Sequence, residues 1–296
     1  MPKRSPVGRS ERTPAKHEVL QKIVGRITGA APHVKSRRLG FIDLCAGDGV
    51  TPEDTDFWHG CSPGILIRYA SGAIRRGMAP SIVILYEINR NTYDRLITNL
   101  TANLGEPFAA KDGQTRYDYT TDAGVAVRVF AFRGSGKDAD VSWIHRDDCM
   151  FVNNDPNSIH DWAMRATLIS EILERTWRCT TFSTMGCNTG GLMMKPFEER
   201  KTMWYPHLSA IKDSLPNHMD VVLAAIDRDA SKWAYATTSP MVWRQKTEKD
   251  ITSAFKKIGR DMHVAWWRDA PAAFGELEDR LFLRKTELEE RQEGLW

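Results

Sequence analysis

The chain has no apolar run approaching the roughly eighteen residues that a membrane-crossing helix needs, which argues against any such span. Its first residues lack the apolar core of a secretory signal, so the expected location is the cytoplasm. Cysteine is sparse: Cys45, Cys61, Cys149, Cys179 and Cys187 are odd in number and form no C-x-x-C pair. That pattern argues against a disulfide framework and against a thiolate zinc site, leaving free thiols and no metal as the expectation. Net charge is small, formally +3, so the field of the whole chain names no polyanionic partner. Internal repeats and low-complexity tracts are absent from the sequence.

What is present is a globular composition, 42% hydrophobic and 27% charged over 296 residues, enough to bury the core of one large α/β domain. Charge is unevenly spread: Lys3, Arg4, Arg9, Arg12, Lys16, Lys22, Arg26, Lys35, Arg37 and Arg38 face only Glu11 and Glu18. Residues 1–15 have almost nothing to bury and are expected to be a disordered basic arm that could follow a phosphate backbone. The apolar positions Val19, Leu20, Ile23, Val24 and Ile27 share one helical face and predict a first helix from His17 to Gly29.

Two buried strands follow. Gly40 to Gly47 is an apolar run ending in small residues, and Ser81 to Ile88 contains Ile82-Val83-Ile84-Leu85. Between them a helix starts at Ser62-Pro63, and after them another carries Tyr93, Leu96, Ile97, Leu100 and Leu104. Tyr117–Tyr119 and Val125–Phe132 read as a hairpin or an antiparallel insertion. Cys149–Asn153 is a further strand, and Ser158 with Asp161 resembles a capping box for a long helix carrying Ile159, Trp162, Ala166, Ile169 and Leu173. Thr180–Thr184 predicts a strand, Pro196–Ser214 a helix, and Asp220–Ile226 with Trp233–Thr237 an antiparallel hairpin across Asp227–Ala230. A helix near Ile251–Ile258, a strand near His263–Trp267 and a charged helix from Pro271 to Arg291 end the chain.

Alternating strands and helices imply right-handed crossovers, a largely parallel sheet, and ligands bound outside the carboxyl ends of the strands. Three loops are thereby nominated, after Gly47, after Tyr86 and after Asn153. In the first, Asp43-Leu44-Cys45-Ala46-Gly47-Asp48-Gly49 places small residues where a backbone turns tightly and lets a ligand approach. The helix that would seat a pyrophosphate begins only near Ser62, so a cofactor without phosphates fits better than a dinucleotide. In the second, Glu87 closes its strand, where a carboxylate can accept two hydrogen bonds from ribose hydroxyls.

Phe41 to Gly49 resembles the first motif of class I S-adenosylmethionine-dependent methyltransferases. The segments Lys16-His17-Glu18-x-Leu20, Gly60-Cys61-Ser62-Pro63-Gly64 and Tyr86-Glu87-x-Asn89 are similar, more narrowly, to the three-Cys-motif partner proteins. The resemblance covers Lys16 to Asn157, and the narrower pattern more often has Pro where Asp48 stands. It implies an α/β fold with a Rossmann-like, mostly parallel seven-stranded sheet, an antiparallel edge hairpin and helices on both faces. The catalytic domain would span 16–245, with 246–296 a helical extension packed on it. It also implies a cofactor site of Asp43, Cys45, Ala46, Gly47, Gly49, Glu87 and Ile88 for S-adenosylmethionine, with Glu87 on the ribose. No clear equivalent of the adenine-contacting acid stands after Phe132.

Asn154-Asp155-Pro156-Asn157 resembles the [D/N/S]-P-P-[Y/F] motif of amino methyltransferases, in which a side-chain oxygen and a carbonyl hold the acceptor nitrogen. Here the aromatic position is Asn157, and Asp155 is the expected polar group of the catalytic loop. Positioning of this sort supplies much of the rate of a transfer whose donor is already reactive. The expected activity is methylation of a base nitrogen in nucleic acid, DNA slightly ahead of RNA. The alternatives are a non-catalytic cofactor-binding partner subunit of a defence or mobile-element complex, and a protein or small-molecule methyltransferase. Of ten tryptophans, Trp58 in the cofactor loop is the most interesting for base stacking. His145, Asp147 and Asp148 form no credible metal cluster, and Ser183 and His160 have no triad spacing.

Overall fold

A computed structural model describes residues 13–50, 55–74, 81–120, 124, 126–155, 166–186, 208–226 and 233–282. The basic residues before 13, Pro156, Asn157, the Ser158 capping box, His160, Trp162, Cys187, the turn at 227–230 and the end of the last helix lie outside them.

One sheet of ten strands organises the chain. In chain order they are β1 (Leu39–Asp43), β2 (Ser81–Glu87), β3 (Ala109–Lys111), β4 (Gln114–Thr120), β5 (Ala126–Arg133), β6 (Cys149–Asn154), β7 (Cys179–Gly186), β8 (Met219–Ile226), β9 (Trp233–Pro240) and β10 (His263–Trp266). Their spatial order is β10-β8-β9-β7-β6-β1-β2-β5-β4-β3. Apart from the β3–β4 hairpin, the strands running with β1 lie in the order β5-β2-β1-β6-β7-β8, the doubly wound arrangement whose direction of winding reverses between β1 and β6.

Three expectations are corrected by this topology. The sheet has ten strands rather than seven, because β3 and β4 extend one edge and β10 the other. The second member of the expected insertion, β5, is a full member of the sheet, pairing in parallel with β2 from Ser81↔Val127 to Glu87↔Arg133 while β4 pairs antiparallel on its far side. The β8–β9 hairpin is drawn inside the sheet: β9 sits antiparallel between β7 and β8, and β10 covers β8.

Helices cover both faces and bury two cores. On one face lie α1 (Thr13–Ala30), α2 (Phe57–Gly60), α3 (Ser62–Ile74), α4 (Arg90–Leu104) and, later in the chain, Arg244–Lys256, packing with Phe41, Val83, Val129 and Phe151. On the other lie α5 (Ala166–Arg175), residues 208–214 and Pro271–Phe282, packing with Ile42, Val152, Val221 and Leu223. We number Arg244–Lys256 α6 and Pro271–Phe282 α7. The stripe Val19, Leu20, Ile23, Val24 and Ile27 is buried as its spacing demands, each side chain contributing about 1.5–3 kcal/mol through removal from water. All five residues of β1 and all eight of β8 are buried, as strands covered by helices on both faces of the sheet require. No helix among the described residues is long and apolar enough to cross a membrane.

Candidate active site

The carboxyl ends of β1, β2 and β6 bring the first two nominated loops and the start of the third to one place. Asp43, the last residue of β1, is completely buried. Its Oδ1 accepts hydrogen bonds from the Cys45 backbone N–H at 3.1 Å and from Asn153 Nδ2 at 3.0 Å, while its Oδ2 makes no hydrogen bond of good geometry among the described residues, although the Ser62 hydroxyl also acts on the carboxyl. Burial pushes its carboxyl up to about 6; the Ser62 hydroxyl, the Cys45 N–H and Asn153 hold it back, and the Asp155 charge adds to the rise.

The chain then turns tightly. Ala46 donates its N–H to the Tyr86 carbonyl at 2.8 Å and Gly47 donates to Glu87 Oε2 at 3.1 Å, so the loop is laced to the end of β2. Glu87 Oε1 meanwhile accepts the Asn89 N–H at 2.8 Å. A carboxylate offers about four lone-pair sites in all and is the kind of acceptor that ribose hydroxyls use. Gly47 and Gly49 stand at φ of 68° and 67°, the left-handed region that favours glycine. A Cβ at Gly47 would meet nothing within 4 Å, which marks open space over the turn, whereas at Gly49 it would lie 3.2 Å from Leu96. Asn99 of α4 anchors the loop from outside, donating to the Asp48 carbonyl at 2.8 Å.

All seven residues expected at the cofactor stand at the adjoining carboxyl ends of β1 and β2 and in the turn between them. Ala46 is buried, Cys45 and Glu87 are half-buried, and Ile88 is 68% exposed at the rim. A buried Asp43 oxygen without a hydrogen bond of good geometry, a glycine turn open above its Cα and a carboxylate across from it suit a ligand carrying amino and hydroxyl donors. The loop after β5 reaches the same region: Gly134 donates to the Glu87 carbonyl at 3.0 Å, and a single 3-10 turn, Gly136–Asp138, follows. This loop carries two exposed acids, Asp138 and Asp140. Burial raises the Tyr86 hydroxyl beneath this loop to about 12, with Asp140 adding to the shift.

At the end of β6, Asn154 is completely buried, its Nδ2 3.5 Å from Ser183 Oγ and its Oδ1 unpartnered. Asp155 is engaged on both oxygens, by the Lys16 ammonium and by the Thr184 hydroxyl. Lys16, His17 and Thr184 are therefore site residues that pattern reading left in a helix motif and a strand. Burial pushes the His17 imidazole down to about 4, aided by the Lys16 charge and opposed by Asp155. Pro156 and Asn157 lie outside the described residues.

The remaining expectations resolve structurally. Trp58 packs against Phe57 and Tyr119 at ring distances of 5.3 and 5.7 Å, a half-buried core contact. Asp148 is buried and binds Arg38 and the His145 N–H, fixing the entry to β6. Among the described residues no group of three His, Cys, Asp or Glu could hold a metal, and Cys45, Cys61, Cys149 and Cys179 are free thiols.

No protein-family model matches the chain, and no curated protein does. Among solved structures, protein LPL1258 from Legionella pneumophila superposes with a TM-score of 0.50 at 11% identity, covering 86% of this chain and 95% of that one. The likeness is one of fold. Trm1 from Pyrococcus horikoshii, solved with S-adenosyl-L-methionine, gives a TM-score of 0.47 at 13% identity over 84% of this chain and 60% of its own. The N-terminal domain of human METTL16, in complex with SAH, gives 0.35 at 11% over 73% and 68%. At 11% identity the first of these likenesses shows the fold alone, and the chemistry is read from the site. None of these comparisons adds support for the narrower three-Cys-motif likeness.

Proposed function

We propose that the chain is an S-adenosylmethionine-dependent methyltransferase acting on a base nitrogen of nucleic acid. The observation that carries the reading is the linked cradle of Asp43, Gly47 and Glu87 at the switch point of the sheet, with Asn154 and Asp155 at the end of the adjoining strand. The cofactor would supply a sulfonium methyl group. Asp43 and the turn from Cys45 to Gly49 would hold its methionine part, Glu87 its ribose, and Ile88 would cover it. Asp155 or Asn154 would orient the acceptor nitrogen in line with the donor. The fold favours neither DNA nor RNA, and the slight preference for DNA read from the motif gains no support.

A second reading, a cofactor-binding partner subunit without turnover, is favoured by one feature: Lys16 and Thr184 already occupy the Asp155 carboxylate. Transfer of radiolabelled methyl from S-adenosylmethionine to total RNA and to DNA separates the two. The enzyme reading expects label in nucleic acid, lost in Asp155→Ala while cofactor binding remains. Cofactor binding with no label in RNA, DNA or protein would leave the partner subunit as the account.

A further inference from the structure

Away from the strand ends, α1, α3 and α6 enclose an open cleft of about 540 Å3 that the cofactor site does not use. Its floor is the α1 backbone at Gly25, Gly29 and Ala30. Gly25 is needed there, since a Cβ would come within 3.1 Å of the Tyr69 ring. Tyr69 and Trp243, both half-buried, form the aromatic walls, and Lys22, Arg26 and Lys246 bring three cations. Asp250, the sole carboxylate among the described lining residues, is paired with Arg26 at 2.6 Å. The Arg26 guanidinium also donates to Thr247 at 2.6 Å and lies 5.8 Å from the Trp243 ring centre, yet its buried Nε–H has no partner. Lys22 shares Glu18 with Lys257 and donates to Ser253, whereas Lys246 is exposed and makes no ion pair among the described residues.

We propose that this cleft docks a segment of single-stranded nucleic acid. Flat rings beside a floor of two glycines and an alanine offer surface on which bases of any sequence stack, the Tyr69 ring also facing the Arg68 guanidinium at 4.8 Å, and the surrounding ammonium groups neutralise phosphates. An acidic peptide would use the cations but gain little from the paired rings and the glycine floor. The position of the cleft adds continuity: α1 begins at the acceptor end with Lys16, and at 1.5 Å per residue the cleft follows from about 8 to about 21 Å further along the same helix. At about 100° per residue Lys22, Gly25 and Gly29 stand about 180–240° around the helix from Lys16, so a strand that reaches from the cleft to Asp155 must cross over α1. In that continuity alone the inference rests on the acceptor reading; binding in the cleft requires no methyl transfer.

The test is fluorescence anisotropy of short fluorescein-labelled oligothymidylate and oligouridylate with the full chain, across a salt series, for the parent, Lys246→Glu, Trp243→Ala and Trp243→Tyr. Trp243→Ala should weaken binding roughly tenfold or more, with Trp243→Tyr restoring most of it. Lys246→Glu, an exposed position that should leave folding intact, should lower both affinity and the slope of log K against log salt by about one phosphate contact. S-adenosylmethionine titrations should be the same in all four. Parent-like oligonucleotide binding by both Lys246→Glu and Trp243→Ala would overturn the proposal, as would preferential binding of a labelled oligoglutamate peptide. Should the oligonucleotide track the cleft while S-adenosylmethionine fails to bind, the cleft assignment stands and the methyltransferase reading falls.

Discussion

Asn153 donates its side-chain amide to Asp43 Oδ1 across 3.0 Å, tying the carboxyl end of β6 to that of β1 where the sheet reverses its winding. The proposed cofactor and acceptor sides are thus joined by a hydrogen bond. Replacing Asn153 by Leu leaves Oδ1 with the Cys45 N–H alone and pushes the carboxyl further up. A hydrogen bond to a charged group contributes about 1.5–3 kcal/mol, so S-adenosylmethionine affinity should fall about tenfold or more by calorimetry. Unchanged affinity would mean the pair is structural only.

Asp43 should cost the fold stability at neutral pH. Its carboxyl titrates at about 6 when folded against 3.8 normally, so the folded state holds the proton more tightly between those values. The stability from this group is present below pH 3.8 and lost as pH rises through about 6. Asp43→Asn should therefore be more stable than the parent at pH 8 by about 1–3 kcal/mol in urea melts, with the gap closing at low pH, while losing the cofactor. A variant less stable at pH 8 would contradict this.

His17 works in the opposite sense. With its imidazole lowered from 6.5 to about 4, the unfolded chain takes up the proton first, so the stability it contributes is present above pH 6.5 and is lost as pH falls towards 4. His17→Gln should flatten that part of the stability profile, read by thermal melts across the same pH range. An unaltered profile would place His17 in water.

Two glycine substitutions should separate site from scaffold. At Gly47, alanine meets open space and suffers only the left-handed backbone, about 1–2 kcal/mol, so the fold survives while cofactor binding weakens. At Gly64, a Cβ would stand 1.8 Å from the Phe57 carbonyl oxygen, where α3 begins beside α2. Gly64→Ala should lose about 3 kcal/mol or more and express poorly. Equal losses in both variants would sink the distinction.

Local pattern carried the first half of the fold. The runs at Gly40 and Ser81, the stripe of α1 and the Ser62 helix start depend on neighbours in sequence, and each stands where its spacing put it. The tight turn at Gly47 and Gly49 was legible in the same way, since small residues in one loop mark it. What escaped depends on distant pairing. Whether β5 joins β2 is decided by Ser81↔Val127 and its successors, not by the residues around Val127. Lys16 meets Asp155 across 139 positions, so no spacing rule could have placed an ammonium on that carboxylate. Thr184 reaches Asp155 only because β7 lies beside β6 in parallel.

The central claim is that the turn from Asp43 to Gly49, faced by Glu87, holds S-adenosylmethionine. Calorimetric titration of the purified chain with that molecule, repeated on Asp43→Ala and Glu87→Ala, tests it most directly. The account predicts saturable binding with one molecule per chain, abolished in the first variant and severely weakened or abolished in the second. An intact protein that takes up no S-adenosylmethionine, or two variants that bind it as the parent does, would contradict the account.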